Sequence, residues 1–533
     1  MAEEARPVYL IGCGADEGPP GPVAELGFKA HNLARLTRIG IPVPPAFVLG
    51  TSWCRACLAQ GGQLPEGARG QLAAALRRLE AASGLAFGSS RRPLLVSVRS
   101  GAPVSMPGMM DTVLNVGLGD GTLSGLLRLS GNPRLVWDSY RRLIESFAET
   151  VAGLPGAPFE TARREALSAA AVTAPAQLDF RALRALAQRA LELYAAAADQ
   201  PFPQSPVEQL EQAVAAVFRS WAGARARWYR EAHGIGHELG TAVTVQRMVF
   251  GNAGGTSGAG AGFTRNPATG SAELYLDFAP NAQGEDVVSG RTGLAGGAAL
   301  QNLPVSIGEE LAELASLLEH EFRDAQEFEF TVENGELFVL QTREAKRTPL
   351  AALRIAVELA EAGLLTPAEA RSRIAMLDPG ALEIVELAAA GSVEPLLTGV
   401  GASIGVAAGA AVFDPDRAID RARAGEVVIL VREELATSDI AALEATAGLL
   451  AVRGARTSHA AVVARQLGKA CIVGCAGLAI DADRHAGQVG ARRIAEGEML
   501  TLDAASGRVY PGRLAVVRRP PSELLGRLNA LGA

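Results

Sequence analysis

The hydrophobic pattern of this chain changes period several times, and this change constrains its fold more than any other feature. Strand-like apolar segments occur at 94–102 and 241–250, whereas residues 120–230 repeat apolar positions at helical spacing. Strand-like alternation returns at 327–343, and a helical pattern follows at 346–390. Because one hydrophobic core rarely serves so long a chain, we expect about two to four compact units that mix helices and strands.

The C-terminal part carries a second set of strand-like segments. A Gly/Ala-rich stretch, GVGASIGVAAGAAVF, is followed by VVILVRE, GLLAV and MLTLDAASGRVY. These segments predict a small α/β domain at 391–512, and the tail at 513–533 predicts one short helix. The helical pattern of 346–390 is typical of a semi-rigid linker between this domain and residues 1–345. The predicted fold class is therefore α/β, in an α+β multidomain arrangement.

Charge and apolar patterning exclude several classes of protein. The net charge is −7 and no basic stripe occurs, so neither a nucleic acid nor an anionic membrane is an expected partner. No apolar run reaches the roughly 20 residues that span a bilayer, and the acidic N-terminus differs from a signal peptide, so we expect a cytoplasmic location. Five cysteines argue against a disulfide framework. Cys54-x-x-Cys57 predicts two reduced thiols on a helix, with a redox or metal pair as the alternative.

A helix start near residue 459 is the strongest candidate for chemistry. In Thr457-Ser458-His459 a hydroxyl residue precedes an apolar run that stops at Gly468, which predicts an N-cap and a C′ glycine. His459 then lies in the first turn, where free amides and the helix dipole favour an anion by about 0.3–1 kcal/mol. The same dipole disfavours protonated imidazole, so a neutral nitrogen is available as nucleophile. We predict that His459 carries a phosphoryl group, and a capping or surface role is the alternative.

Cationic residues around this helix start supply donors for phosphate oxygens. They are Arg453, Arg456 and Arg465, and the hydroxyl groups of Thr457 and Ser458 add to them. Together these residues favour phosphoryl transfer over a capping role for the histidine.

The N-terminal half offers places for a polyphosphate. Six glycines lie at 251–262 between two predicted strands, and glycine lets backbone amides approach phosphate oxygens. No Walker A pattern occurs, and a mobile hairpin loop explains this segment equally well. Lys29 and Arg99 stand before it, and each is a candidate phosphate ligand that a surface charge explains equally well.

Two glutamates alternate with two phenylalanines on a predicted strand. Glu327 and Glu329 therefore share one face of the strand, while Phe328 and Phe330 share the other. Adjacent carboxylates repel each other unless they are exposed or bridged by a cation, and Mg²⁺ prefers such oxygen ligands. The pattern predicts a magnesium site on this face.

The strand that returns from this segment carries two further candidates. Asn334-Gly335 predicts a two-residue hairpin turn, after which Gln341 and Arg343 offer an amide and a guanidinium for phosphate. A strict two-residue turn pairs Glu329 with Leu340. A bulge or a longer turn is therefore needed to bring Gln341 to the face of the glutamates.

Eight segments, taken in this order, resemble the pyruvate, phosphate dikinase family. They are LARLTRIGIPVPPAFVL, SVRSGAPVSMPGMMDTVLNVGL, VWDSYRRLIESF, TAVTVQRMVFGN, SGAGAGFTRNPATG, NAQGEDVV, FEFTVENGELFVLQTREAKRT and TSHAAVVARQLGKACIVG. By this resemblance residues 1–345 form an ATP-grasp nucleotide-binding domain with a helical insert at about 120–230. Residues 391–512 are then a swivelling phosphohistidine domain.

The resemblance implies an ATP-dependent phosphotransferase with paired acceptors. In that family the histidine takes a pyrophosphoryl group from ATP, passes one phosphoryl group to inorganic phosphate and delivers the other to pyruvate. The products are AMP, pyrophosphate and phosphoenolpyruvate. His459 is the implied carrier. The other implied residues are Lys29, Arg99, Gln341 and Arg343 for ATP, and Glu329 with Glu327 for Mg²⁺.

The family also suggests partners. Thr457 matches the threonine that the family's regulatory kinase and phosphatase modify, and a phosphate there would add negative charge two residues from His459. Such a charge should block use of the carrier. A homodimer is a further implied assembly.

The sequence also departs from the family. The family's C-terminal TIM barrel, which binds pyruvate or phosphoenolpyruvate, typically needs about 250 residues, whereas 21 residues follow Gly512. We therefore expect the acceptor domain to be supplied by another chain or to lie outside this sequence. The family's Gly-Gly-Lys-Gly is Gly27-Phe28-Lys29-Ala30 here, and lost glycines restrict the backbone near phosphate. Altered ligand affinity is expected.

Three functions remain open on the sequence. The first is an active enzyme that loads His459 from ATP. The second is a catalytically weakened nucleotide-binding or regulatory homologue. The third is a dikinase-like enzyme that uses water in place of phosphate, or a different small acceptor in place of pyruvate.

Overall fold

The chain is described by a computed structural model. It covers residues 7–14, 21–104, 106, 109–284, 303–378, 382–388, 393–435, 439–456, 458–481 and 485–531, with the side chains of His459 and Ala460 excepted. Two compact units divide the chain. The first is Met1–Gly254 with Phe338–Gln341, and the second is Gly255–Leu337 with Thr342–Ala533. In the described ranges, no helix is both long enough and apolar enough to cross a membrane.

An antiparallel sheet forms the centre of the first unit. The strands of this unit are β1 (Val8–Ile11), β2 (Ala46–Leu49), β3 (Ala86–Phe87), β4 (Pro93–Leu94), β5 (Val96–Gly101), β6 (Thr112–Val116) and β7 (Ala242–Arg247). The large sheet has the order β1-β2-β7-β5-β6, while β3 and β4 form a separate short pair. The strands predicted at 94–102 and 241–250 are therefore confirmed, and they pair with each other.

Helices surround this sheet and fill the stretch where helical spacing was predicted. They are α1 (Val23–Arg38), α2 (Thr51–Ala59), α3 (Ala68–Ser83), α4 (Asp120–Ser130), α5 (Pro133–Thr150), α6 (Ala157–Ala169), α7 (Phe180–Ala198), α8 (Pro206–Ser220) and α9 (Ala224–His233). Asn132 caps α5 by accepting a hydrogen bond from the Leu135 amide at 3.1 Å. The helices α5 and α7 pack through aromatic side chains, with Phe147 and Tyr194 each 5.3 Å from Phe202 between ring centroids.

The cysteine pair behaves as the thiol interpretation predicts. Cys54 and Cys57 are buried free thiols on α2. Burial raises the pKa of Cys54 to about 11, so the thiol stays protonated at neutral pH. Cys471 and Cys475 are likewise free and buried.

The second unit contains the remaining elements. Its helices are α10 (Val305–Phe322), α11 (Pro349–Glu361), α12 (Pro367–Arg373), α13 (Pro415–Arg423), α14 (Ile440–Ala445), α15 (His459–Gln466) and α16 (Ser522–Ala530). Its first strands are β8 (Gly258–Phe263), β9 (Tyr275–Pro280), β10 (Gln326–Glu333) and β11 (Glu336–Glu344), in the order β11-β10-β8-β9. β11 contributes Phe338–Gln341 to the first unit.

The glycine-rich segment is only partly the loop that was predicted. Gly258, Gly260 and Gly262 lie on the fully buried strand β8. A side chain at Gly260 would meet the Phe330 ring, and one at Gly258 would meet the Phe278 ring. These glycines are therefore space for aromatic rings from the neighbouring strands, and only residues 251–257 are left to form a loop.

The segment after β11 is packed rather than a free connector. Leu353 and Leu359 of α11 share a core with Phe263 and with Leu524 and Leu528 of α16. Buried ion pairs add to this core, with Arg265 bound to Glu319 and Glu358, and Arg347 bound to Asp324. A semi-rigid linker was the prediction, and these contacts fix the helical part of it to the sheet of β8–β10.

The last part of that segment is a strand, which corrects the prediction of helix to about residue 390. β12 (Ile384–Leu387) pairs antiparallel with β24 (Val516–Arg519) of the tail, before the predicted short helix α16. The pairing partner lies more than a hundred residues away, so local periodicity did not indicate it.

The C-terminal domain is a mixed sheet covered by helices. Its strands are β13 (Leu397–Thr398), β14 (Val400–Gly401), β15 (Val406–Val412), β16 (Val428–Arg432), β17 (Gly448–Ala451), β18 (Ala470–Val473), β22 (Met499–Asp503) and β23 (Arg508–Pro511), in the order β13-β23-β22-β15-β16-β17-β18-β14. The strands β15 to β18 run parallel. A second small sheet joins β19 (Leu478–Asp481), β20 (Ala486–Val489) and β21 (Arg492–Ala495). With the sheets described above, this arrangement confirms a mixed α/β multidomain fold.

Candidate functional site

The helix that begins at His459 has the predicted caps. Ser458 is the N-cap, with extended backbone angles, and its Oγ accepts a hydrogen bond from the Ala461 amide at 3.5 Å. Gly468 follows the helix with φ 64°, the left-handed conformation expected of a C′ glycine. His459 is therefore the first residue of a capped helix. Thr457 lies outside the described residues.

This helix start lies at the carboxyl edge of the parallel strands β15 to β18. α15 connects β17 to β18, which run parallel, and it begins after the carboxyl end of β17. In open α/β sheets that edge is the usual place for ligands, and a helix N-terminus there favours an anion. The backbone thus supports the predicted anion site from two directions.

The turn before His459 depends on Gly454. Its φ is 127°, which L side chains rarely adopt, and a Cβ there would lie 3.1 Å from Cβ of Val473. It would also lie 3.4 Å from Oγ of Ser458. Glycine at this position therefore allows the turn to fold against β18 while the cap stays in place.

The three arginines predicted to surround a phosphate have other partners in this structure. Arg453 pairs with Glu433 at 3.2 Å on the surface. The guanidinium of Arg456 lies 4.9 Å from the Tyr275 ring centroid, and that of Arg465 lies 5.1 Å from the Phe263 ring centroid. Two of the three guanidinium groups thus lie on aromatic rings of β8 and β9, and the role of the three arginines as phosphate donors stays a prediction.

The two aromatic rings form a pair. Phe263 and Tyr275 are register partners across β8 and β9, with ring centroids 6.1 Å apart. The Tyr275 hydroxyl donates to the Gly401 carbonyl at 3.1 Å, and burial raises the pKa of Tyr275 to about 12. This Phe263–Tyr275 pair, which we call the aromatic pair, links the sheet of β8–β10 to the C-terminal domain.

The two glutamates of β10 share a face, as predicted. Glu327 and Glu329 have Phe263 and Ala261 as register partners, whereas Phe328 and Phe330 lie opposite glycines. Glu327 is buried and Glu329 is half-buried. The alternation of the sequence is therefore reproduced in the sheet.

Arg343 is paired with one of these glutamates. Its Nη2 donates to Oε1 of Glu327 at 2.5 Å. Burial alone would lower the pKa of Arg343, but the hydrogen bond and the charges of Glu327 and Glu329 raise it. The guanidinium is therefore held as a cation beside both carboxylates.

The hairpin carries the bulge that this pairing needs. Asn334 and Gly335 have φ of 52° and 84°, which confirms the two-residue turn. A strict register from that turn would place Ala345 opposite Asp324, but the Ala345 amide donates to the Ala325 carbonyl at 3.0 Å. β11 thus accommodates one extra residue, and the shift brings Arg343 opposite Glu327.

The carboxylate face fits a cation in part. Oε2 of Glu327 is buried and has no hydrogen-bond partner in the described ranges. Those ranges contain no group of three His, Cys, Asp or Glu side chains placed to hold a metal. Mg²⁺ usually takes one or two carboxylates and completes its shell with water and phosphate, so two glutamates suffice as the protein's share.

Asp277 is a buried acid that the sequence reasoning missed. It lies on β9 opposite Ala261, which in turn lies opposite Glu329, so the two acids flank one residue of β8. Two strand spacings separate them, roughly 10 Å. The available signal was an aspartate within the apolar run Leu276-Asp277-Phe278, which is an expensive residue to bury in a strand.

The first unit holds the other predicted ligands. Lys29 is an exposed residue of α1, next to a break at Gly27, where φ is 72° and a Cβ would meet the Gly101 carbonyl. The Phe28 amide donates to the Ala102 carbonyl at 3.0 Å, so this break is fixed against the end of β5. β5 also carries Arg99, so the structure brings the segments of both cations together.

Arg99 and Gln341 occupy protected positions in the same unit. Arg99 is half-buried on β5 between Thr112 and Thr244, and no ion pair engages it in the described part of the chain. Gln341 is buried near the end of the β11 segment that joins the first unit, where the Val339 amide donates to the Pro42 carbonyl at 2.8 Å. Lys29, Arg99 and Gln341 thus belong to the first unit, whereas the two glutamates and Arg343 belong to the second.

Comparison with known proteins adds two matches to this geometry. The profile of "Pyruvate phosphate dikinase, AMP/ATP-binding domain" matches residues 60–293, and that of "PEP-utilising enzyme, mobile domain" matches residues 424–507. The chain is 40% identical to pyruvate, phosphate dikinase of Rhizobium meliloti over 98% of its length, and 42% identical to that of Clostridium symbiosum over 91%. A Zea mays relative, pyruvate, phosphate dikinase 2, is 41% identical over 95%.

The chain belongs to the pyruvate, phosphate dikinase family. It spans 60%, 56% and 57% of the lengths of these three relatives. The recognition made on sequence motifs is therefore confirmed.

The two family matches divide the candidate residues. The match at 424–507 contains His459 and the arginines on the aromatic pair, and the match at 60–293 contains Arg99 and Asp277. The remaining candidates lie outside both matches; they are Lys29, Glu327, Glu329, Gln341 and Arg343.

Proposed function

We propose that this member of the family binds Mg-ATP and transfers a phosphoryl group to His459. The observation that carries the proposal is the combination, in one chain, of an AMP/ATP-binding match with a capped helix that begins at a histidine. Free amides of that first turn and its dipole suit an anion on the imidazole. A nucleotide-binding half without such a helix would not suggest a covalent carrier.

The roles of the ligands follow from their charges. Lys29 and Arg99 bind phosphate oxygens from the first unit, and Gln341 adds an amide. Glu327 and Glu329 hold Mg²⁺, which when bound neutralises phosphate charge and orients the transferred group. Arg343, already held by Glu327, presents its remaining donors to the phosphates and balances the carboxylates while no cation is bound.

Loading is proposed to take place in two balanced steps. In the first, an imidazole nitrogen of His459 attacks the β-phosphorus of ATP, the bond to the α-phosphate oxygen breaks, and AMP leaves. In the second, inorganic phosphate attacks the terminal phosphorus of the pyrophosphohistidine, pyrophosphate leaves, and one phosphoryl group remains on His459. By the names of its relatives, the group is then destined for pyruvate, which would become phosphoenolpyruvate.

Position-specific labelling tests this proposal. We expect label from the β-phosphate of ATP to stay on the wild-type protein, and label from the γ-phosphate to leave in pyrophosphate once inorganic phosphate is added. His459→Ala should take no label, whereas the control His485→Asn, in the same domain, should take as much as the wild type. His485 has φ 45°, which asparagine tolerates.

The alternatives give different label patterns. Release of the γ-phosphate as inorganic phosphate in the absence of added phosphate would identify water as the second acceptor. If the wild type takes no label but ATP stabilises it against unfolding, the protein is instead a nucleotide-binding homologue that has lost turnover.

A further inference from the structure

Two arginines bracket the helix start of His459 and both lie on the aromatic pair. Arg456 precedes His459 by three residues and stacks on Tyr275, while Arg465 follows it by six and stacks on Phe263. Cation–π contacts of this kind are attractive, and more so when both partners are desolvated. The segment 456–465, which holds the turn before His459 (the carrier turn, 454–459) and most of α15, is therefore attached near both of its ends to the aromatic pair.

Arg465 also ties the turn together within its own domain. Its Nη1 donates to the carbonyl of Arg456 at 2.9 Å and to the carbonyl of Ala402 at 2.8 Å. Arg456 is the residue immediately before Thr457-Ser458-His459. One nitrogen thus anchors the carrier turn to the segment that follows β14.

The rest of this guanidinium is not satisfied. Arg465 is fully buried, and its Nε and Nη2 have no hydrogen-bond partner in the described residues. No carboxylate there lies within ion-pair distance of it. Burial lowers the pKa of Arg465, and the negative charges of Glu327 and Asp277 oppose this only in part. A buried unpaired charge costs stability, so stability alone does not explain an arginine here.

We propose that Arg465 is a positioning residue for His459, which closes the carrier turn when its guanidinium lies on Phe263. The inference rests on the proposed function and goes beyond it. It names the contact between Arg465 and Phe263 as the one that couples the conformation of the carrier turn to the packing of α15 on the sheet. The planar fork is essential, because it stacks on a ring and reaches two carbonyls together. A lysine keeps the charge but offers a single nitrogen at the end of a flexible chain.

The test compares Arg465→Lys with Arg465→Met and Phe263→Leu. The rate and the final extent of His459 labelling are measured at saturating ATP, and the KM for ATP is measured alongside. We expect each variant to label about tenfold or more slowly, with an unchanged KM and with Arg465→Lys reaching the wild-type extent. The control Arg492→Ala removes an exposed arginine of the same domain that pairs with Glu498, and it should label at the wild-type rate.

A double substitution separates coupling from general damage. Because Arg465 and Phe263 act through one contact, the combined variant Arg465→Lys with Phe263→Leu should be little slower than either single variant. Rate losses that multiply would overturn the coupling. Labelling of Arg465→Lys at the wild-type rate would overturn the positioning role while leaving the proposed function intact.

A readout without phosphoryl transfer distinguishes failure of the two proposals. Hydrogen exchange of backbone amides in residues 455–466 should be faster in Arg465→Lys than in the wild type, and unchanged in Arg492→Ala. If the wild type takes no label, the proposed function fails, and faster exchange in Arg465→Lys still supports turn closure. Unchanged exchange in that variant would overturn the inference whatever the labelling shows.

Discussion

Two buried arginines, one in each unit, have opposite surroundings. Arg141 on α5 donates to Asp138 at 2.7 Å and to Glu145 at 2.6 Å, and Asp138 also accepts from Arg142 at 2.9 Å. Arg465 on α15 is at least as buried, but it has two backbone acceptors, an aromatic ring and no carboxylate within ion-pair distance in the described ranges. Carboxylates neutralise the charge of Arg141, whereas no carboxylate pairs with Arg465 in the described ranges.

The pKa values follow this difference. Burial would lower the pKa of Arg141, but Asp138 and Glu145 raise it above its ordinary value. For Arg465 burial dominates and the pKa is lowered. Removal of one partner from a buried ion pair is strongly destabilising, and buried groups with perturbed pKa values are concentrated at functional sites. The comparison therefore assigns Arg141 to the stability of the helical region and Arg465 to the carrier turn.

The largest expected effect is the loss of Arg141. Arg141→Met leaves Asp138 with Arg142 alone and Glu145 with the longer contact to Arg163 alone, so it should lower the free energy of unfolding of the first unit by about 3 kcal/mol. Urea unfolding, monitored through hydrogen exchange of the α5 amides, measures this loss of stability. The control Arg189→Met, at an exposed pair with Glu192, should change it by less than about 0.5 kcal/mol. Equal effects of the two substitutions would contradict a stabilising role for the buried ion pairs of Arg141.

Acid should weaken the first unit through Asp138. The arginines hold the pKa of this carboxyl well below its ordinary 3.8 against the opposing effect of burial. Its contribution is thus fully present above pH 3.8 and is lost as pH falls towards the folded pKa, with a loss of about 1 kcal/mol by pH 3. Urea midpoints of the wild type and Asp138→Asn from pH 7 to pH 3 measure it. The gap between them should narrow below pH 4, and a constant gap contradicts the linkage.

The N-cap of α15 should have a smaller and local effect. Ser458→Ala removes the oxygen that accepts from the Ala461 amide and should destabilise the start of this helix by about 1 kcal/mol. Hydrogen exchange of the α15 amides measures it. Ser458→Asn keeps a capping oxygen and should exchange as the wild type does. No difference between the two variants would mean that Arg465 alone orders the turn.

The smallest expected effect on stability is that of Arg465→Met. Two carbonyls lose a donor, but two unpaired nitrogens also leave the core, so the free energy of unfolding should change by less than about 1 kcal/mol. The same urea experiment measures it beside Arg141→Met. A loss as large as that of Arg141→Met would make Arg465 a stability residue and remove the contrast.

Local signals in the sequence were sufficient for much of the site. Ser458 and Gly468 delimit a helix by their own backbone preferences, and Asn334-Gly335 defines its turn in the same way. The alternation of Glu327 and Glu329 with phenylalanines needed only the period of a strand. Such features depend on residues a few positions apart, and the structure has them as predicted.

Features that depend on distant residues were not predictable. The glycines of β8 indicate a loop until Phe278 and Phe330 are known to cover them, and these rings come from other strands. Arg465 belongs to an ordinary helix by its sequence. Its burial against Phe263, some two hundred residues earlier, depends on a contact that no local pattern indicates. The position of Asp277 beside the glutamate strand follows only from the register between β8 and β9.

The occupancy of His459 after incubation with ATP shows whether this histidine carries a phosphoryl group. Wild-type protein is incubated with ATP, Mg²⁺ and inorganic phosphate and is then digested above neutral pH. The mass of the peptide that contains His459 is measured by mass spectrometry, and the nucleotide products are separated by chromatography. We expect one acid-labile phosphoryl group on His459, formed together with AMP and pyrophosphate. An unmodified His459, or ADP as the nucleotide product, would contradict it.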